Sequence, residues 1–260
     1  MLSLKECAEN AREYGFTRLL SLPGHNSKFA KAIGFYNAGL SLSPAKSSGH
    51  NVCPDAGLCV APCVAHRGRA EYDPGTIRRS RIGRTRLLFQ DPELFGEILR
   101  AECAAIDRKS RRLNIPVAFR PNTFSDLDWP QIAPWLFDDF RHWNIYGYTK
   151  VRSYARRFQS GEMPKNYHLT FSWSENIDVS QACRMVESGI NVAVPFYDRF
   201  SLRGTIPGAW NGIPVIDGDS DDLRFRDPRG VFVGLKTKLP KSRAKALKMI
   251  EHSRGFFVGV

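Results

Sequence analysis

From Ile115 onward the chain repeats one pattern, a short β-forming run followed by a helix-forming stretch, and that alternation narrows the folds open to it. Strands are expected at Ile115–Arg120, Asn144–Thr149, Tyr167–Ser172 and Ile190–Val194, with helices over Trp129–Phe140, Val151–Phe158 and Val179–Ser188 between or after them. Two further strands are expected at Ile213–Asp217 and Gly230–Leu235. Strands separated by helices pair in parallel through right-handed crossovers. The expected fold class is therefore α/β. With about six or seven strands, an incomplete or open (β/α) barrel follows, formed as a single domain over residues 1–260.

The N-terminal part is organised differently. Thr17–Leu22 reads as a short strand ended by Pro23-Gly24, and a Gly/Ser/Asn-rich connection then runs to about Asp73. Treated as residues 23–75, it is an insertion long enough to imply a function. Pro74-Gly75-Thr76 open a basic helix to Phe89, and Asp91-Pro92 start another. In that second helix Leu94, Phe95, Ile98, Leu99, Cys103 and Ile106 recur at helical spacing, and it ends near Arg112. Neither a dinucleotide glycine fingerprint nor a Walker sequence is present.

The insertion holds Cys53, Cys59 and Cys63, spaced C-x5-C-x3-C and flanked by His50 and His66. Thiolates clustered this tightly in a reducing compartment point to a metal site, whereas Cys7, Cys103 and Cys183 stand alone. Zinc would take the three cysteines and one histidine, His66 or His50. The alternative is an iron–sulfur cluster on the three thiolates, with one iron left open.

Charge supplies the expected partner. Lys and Arg number 38 against 26 Asp and Glu, a net charge of +12. Such an excess suits a polyanion, here nucleic acid, DNA or RNA. The cations cluster: Arg78, Arg79, Arg81, Arg84 and Arg86 in the basic helix, Arg108 to Arg112, and Lys236 to Lys248. No apolar run of about 18 residues is present to span a membrane. The first fifteen residues lack the pattern of a secretion signal, so a cytoplasmic location is expected.

Polar residues gather where the strands should end, the rim on which such barrels build active sites. Arg120, Asn122, Tyr148, Lys150, Ser172, Glu175 and Asp219 are the expected substrate-binding residues. Asp126 and Asp217 are the expected catalytic pair, able to act as nucleophile and acid/base on a glycosidic bond. Both positions also suit local roles. Ser125 or Asp126 can cap the following helix. The carboxylates of Asp217, Asp219, Asp221 and Asp222 need a divalent ion, the cations Arg224 and Arg226, or plain solvation in a turn.

Cys53-Pro-Asp-Ala, with Cys59 and Cys63 after it, resembles the Cys-Pro-Gly-Ala…Cys…Cys signature of a family of small phage and plasmid proteins. The likeness runs on through Arg78–Arg86, Phe119–Trp129, Tyr146–Lys150, Asn166–Glu175, Pro214–Asp219 and Asp227–Val231, so it covers most of the chain. That family implies little about activity. A looser resemblance is to the tRNA-guanine transglycosylases, whose distant phage relatives exchange guanine in DNA for 7-deazaguanine bases. It implies a barrel, a structural zinc on three cysteines and a histidine, and paired aspartates, although the cysteines here come early in the chain. On that resemblance the chain is expected to be a DNA guanine transglycosylase taking a preQ0-type base through a covalent aspartyl intermediate. Trp129, Tyr148, Phe171 or Trp173 would stack on the extruded base. The alternatives are a radical-type iron–sulfur enzyme and a non-catalytic, zinc-containing nucleic-acid-binding phage protein.

Overall fold

The computed structural model describes residues 2–23, 33–66 and 74–260, with the side chains of residues 66 and 74 outside that description. Two compact units emerge. The first comprises Met1–Pro54, Val64–Gly147 and Met163–His168, and the second Asp55–Cys63, Tyr148–Glu162 and Leu169–Val260.

Helix α1 (Leu4–Glu13) opens the first unit on a reciprocal cap, in which Glu6 N–H donates to Ser3 Oγ and Ser3 N–H to Glu6 Oε2. The basic helix is α2 (Pro74–Gln90). Helix α3 (Pro92–Leu113) starts on Asp91, whose Oδ1 accepts from Leu94 N, and stops at Asn114 in the left-handed region. The expected helix over Trp129–Phe140 is two short ones, α4 (Trp129–Ile132) and α5 (Pro134–Asp139). Pro134 is the reason: the residue before a proline is pushed out of the helical region, and Ala133 sits at φ −141°, ψ 68°.

The strands of this unit are β1 (Leu20–Ser21), β2 (Tyr36–Leu40), β3 (Val117–Arg120) and the start of β4 (Asn144–Thr149), in that order. β2 runs parallel to β3 and β3 to β4, whereas β1 is antiparallel to β2. β2 corrects the expectation of an unstructured insertion over 23–75. Asn37, Ala38 and Gly39 are poor β-formers, but the strand is buried from Asn37 to Leu40, where tertiary packing outweighs propensity. Residues 24–32 and 67–73 of that insertion lie outside the described residues.

The second unit takes up the ends of β4 and β5 (Tyr167–Ser172) and adds β6 (Val192–Tyr197), β7 (Ala209–Trp210), β8 (Ile213–Asp217), β9 (Phe232–Lys236) and β10 (Val258–Gly259). The order is β5-β6-β9-β8-β7, with β10 on β6. Its pairs are parallel except β7 with β8. Helices α6 (Arg152–Gln159), α7 (Val179–Glu187) and α8 (Arg243–His252) accompany them. Phe171, Val192, Val194, Phe196 and Phe232 form the core with Ala182 and Val186 of α7. Trp210 of the short edge strand packs edge-on against Trp173, Phe196 and Phe232.

The chain is thus mixed α/β, and among the described residues its strands do not close. A parallel barrel needs its first and last strands to pair. Here two-residue antiparallel strands, β1 and β7, end the path instead, so an open mixed sheet replaces the expected (β/α) barrel. No described helix is long and apolar enough to cross a membrane.

Candidate functional site

The expected rim residues do lie at strand C-termini, and in the first unit they build a tightly bonded loop after β3. Asn122 is 3% exposed. Its Oδ1 accepts from Ser125 Oγ (2.8 Å), Leu127 N (3.1 Å) and Trp129 Nε1 (2.9 Å), and its Nδ2 donates to Leu127 O (2.9 Å). Arg120 Nε donates to Asn122 O at 3.3 Å. Asn122 is therefore spent on organising the loop. Asp126 is 8% exposed, and its backbone N–H donates to Val52 O at 2.8 Å, tying this loop to the start of the cysteine segment. Cys53 strengthens the tie: its Sγ accepts from Ala45 N (3.4 Å) and donates to Phe124 O (3.5 Å).

Helix α2 divides its arginines between two tasks. Arg81 donates from Nη1 to Ala65 O (2.6 Å) and lies over the Phe124 ring. Arg84 donates from Nε to Arg18 O (2.9 Å), and burial lowers its pKa to about 10, with Glu102 opposing. Both are half-buried parts of the fold. Arg78, Arg79 and Arg86 are exposed. At 3.6 residues per turn these three and Phe89 fall within about 100° of arc, on one face. Phe89, itself 43% exposed, stacks on His50 with centroids 4.5 Å apart and planes 3° from parallel. His50, the alternative metal ligand, is thus engaged with a ring.

In the second unit the ends of β4 and β5 meet the cysteine loop. Lys150 Nζ donates to Ser172 Oγ (2.7 Å) and to Trp173 O (2.8 Å), and lies over the Phe256 ring. Glu175 Oε1 accepts from Leu58 N at 2.6 Å, anchoring the short 3-10 turn Leu58–Val60 that carries Cys59. Gly57 makes that approach possible, because a Cβ there would stand 1.7 Å from Glu175 Oε1. A glycine between Cys53 and Cys59 is itself the signal in the sequence for a tight turn there. Burial pushes the Cys59 thiol above its ordinary pKa; Lys150 opposes this, and Cys63 and Glu175 add to it.

The acidic segment splits as well. Asp217 is exposed, with Oδ1 accepting from Asp219 N (2.7 Å), and Asp219 Oδ2 accepts from Lys236 N (2.7 Å). These two carboxylates build a turn. Asp221 and Asp227 instead pair with Arg224, Oδ1 to Nη2 at 3.2 Å and Oδ2 to Nη1 at 3.1 Å. Asp222, 0% exposed, and Tyr148 also act on that guanidinium.

Asp126 belongs to the first unit and Asp217 to the second. Cys53 is likewise in the first and Cys59 and Cys63 in the second, while the His66 side chain lies outside the described residues. Among the described residues no group of three or more His, Cys, Asp or Glu side chains is arranged to hold a metal ion. Trp129, Phe171 and Trp173, expected to stack on a base, are core residues at 0%, 1% and 6% exposure.

No curated protein matches the chain, and no solved structure matches it. The family model described as Gene product 88 matches residues 16–252.

Proposed function

The chain belongs to the Gene product 88 family, and from that premise we propose that it is a nucleic-acid-binding protein whose first unit grips the phosphate backbone through α2. The observation that carries this reading is the one exposed face on which Arg78, Arg79 and Arg86 accompany the Phe89–His50 stack. Guanidinium groups engage phosphate in bidentate fashion, and an exposed ring among them can meet a base or sugar. The net charge of +12 supports the same ligand. Changing Arg78, Arg79 and Arg86 together to Gln is expected to weaken binding regardless of base sequence. It should also flatten the dependence of affinity on salt by about one unit of slope per lost phosphate contact. The single changes Arg81→Gln and Arg84→Gln should lower stability instead, since those residues bond the fold. An unaltered slope in the triple variant would remove α2 from the interface.

A base-exchange reaction, with guanine leaving and a 7-deazaguanine base entering, retains one supporting observation. Asp126 is a buried carboxylate in the loop directly after a parallel strand, a position from which a nucleophile can attack a sugar carbon. Asp217, exposed and bonded into its turn, offers nothing comparable. Asp126→Asn is expected to abolish exchange of labelled guanine into DNA while leaving folding and binding intact. Exchange at the wild-type rate would end that reading and leave the binding reading in place.

A further inference from the structure

Between β6 and β7 the second unit carries a turn whose construction forces an aromatic ring outward. Asp198 Oδ1 accepts from Phe200 N (3.1 Å) and Ser201 N (2.6 Å), and Asp198 O accepts from Leu202 N (2.9 Å). Leu202 takes a left-handed φ of 53°, a strained choice for a branched side chain, and is 8% exposed. The apolar leucine points in, and Phe200 is left 87% exposed, twice the figure for Phe89. The turn is held from several sides. Arg243 Nη1 donates to Phe200 O (3.1 Å), Arg199 Nε to Gly259 O (3.0 Å) and Arg199 N to Val260 O (3.2 Å). Its exit packs so closely that a Cβ at Gly204 would lie 2.5 Å from Thr237 O.

Cations predominate on and beside this turn, and its one carboxylate, Asp198, is engaged by the N–H groups of Phe200 and Ser201. Arg199 and Arg203 flank it and Arg243 bonds its carbonyl, all three exposed. The segment from Lys236 to Lys248 holds six cations and no carboxylate. An exposed phenylalanine on a braced turn, with cationic side chains on and beside that turn, matches the way proteins hold unpaired strands: cations follow the phosphates and the ring stacks on a base. Duplex DNA offers no unstacked base to such a ring. An anionic membrane is met instead by a broad apolar face rather than a single ring.

We propose that the Asp198–Arg203 turn is a single-strand nucleic-acid site in which Phe200 stacks on a base and Arg199, Arg203 and the Lys236–Lys248 segment hold the flanking phosphates. The inference rests on the nucleic-acid reading above and deepens it by naming the form of the strand.

The test titrates labelled oligo(dT), oligo(U) and a matched duplex with wild-type chain, Phe200→Ala and Phe200→Trp. Phe200→Ala should weaken single-strand binding roughly ten-fold or more, on oligo(dT), oligo(U) or both, and the arm affected tells which strand is the ligand. Duplex affinity and the salt slope should not change, since no charge is lost. Phe200→Trp should restore binding, and the melting temperature should stay constant because the ring is largely exposed. Single-strand binding by Phe200→Ala equal to wild type overturns the site. So does loss of binding to phosphatidylserine vesicles with strand affinity unchanged, which would make the ring a membrane contact. The Arg78/Arg79/Arg86 variant, run in parallel, separates the two readings: a defect confined to it leaves only α2 as the interface, and a defect confined to Phe200→Ala leaves only this turn. If the wild-type chain binds none of the three probes, both readings fall.

Discussion

Arg224 is 95% enclosed and faces more negative charge than it can neutralise, and Asp227 bears the consequence. Burial pushes the Asp227 carboxyl from 3.8 up to about 6; Arg224 holds it down, and Asp221 and Asp222 push it further up. A group whose folded pKa lies above its unfolded value stabilises the fold fully below the unfolded pKa and loses that contribution as pH rises through the folded one. From about pH 7 to about pH 5 the folded chain therefore takes up a proton that the unfolded chain does not, and Asp227 adds stability on acidification. Asp227→Asn imitates the protonated side chain. Its melting temperature relative to wild type should be highest near neutral pH, and the difference should shrink towards pH 5. A difference that is constant, or that grows on acidification, would show that Asp227 titrates normally. Residue types alone narrowed this segment well. Crowded carboxylates demand a cation or water, and both occur: Arg224 serves Asp221, Asp222 and Asp227, while Asp217 sits in solvent. Which carboxylate took which solution depends on burial, and burial is settled only on folding.

At the scale of elements, β1, at the end of the described strand path, shows how a buried charge can serve strand N–H groups. Glu102, on α3 and 7% exposed, accepts from Leu19 N at Oε1 (2.9 Å) and Leu20 N at Oε2 (2.8 Å). Burial raises its pKa, while those two N–H groups, with Arg18 and Arg84 nearby, favour the charged form. Glu102→Ala would orphan two buried donors, each costing about 1–3 kcal/mol, so the urea midpoint should fall markedly. Glu102→Gln keeps one acceptor and should fall less. Equal midpoints for wild type and Glu102→Ala would mean that water serves β1 unaided. Nothing in the periodicity of α3 distinguishes Glu102 from a solvated glutamate, because its partners lie more than eighty residues away. Where an element's cause is local, reading succeeded: β4, β5 and β8 have their expected bounds, and α2 and α3 start at Pro74 and Pro92 as proline and Asp91 require. Helix α1 was legible too, in the Ser3-x-x-Glu6 capping box, but passed unread.

At the scale of the whole chain, the polar residues named for strand ends lie at or just after those ends, yet within each unit most are occupied by the fold. Asn122 organises a loop, Lys150 joins the ends of β4 and β5, and Glu175 pins the cysteine turn. Residue chemistry and spacing by themselves determined the α/β class, most strand and helix positions and the cationic character, because alternation, capping and net charge act over a few residues or need no geometry at all. Tertiary structure alone decided that the strands stay open, that Asp126 and Asp217 belong to separate units, and that Arg81 and Arg84 serve the fold while Arg78, Arg79 and Arg86 face water. Those outcomes turn on which distant segments pack together and which groups lose water in doing so, a balance that no short stretch of chain contains.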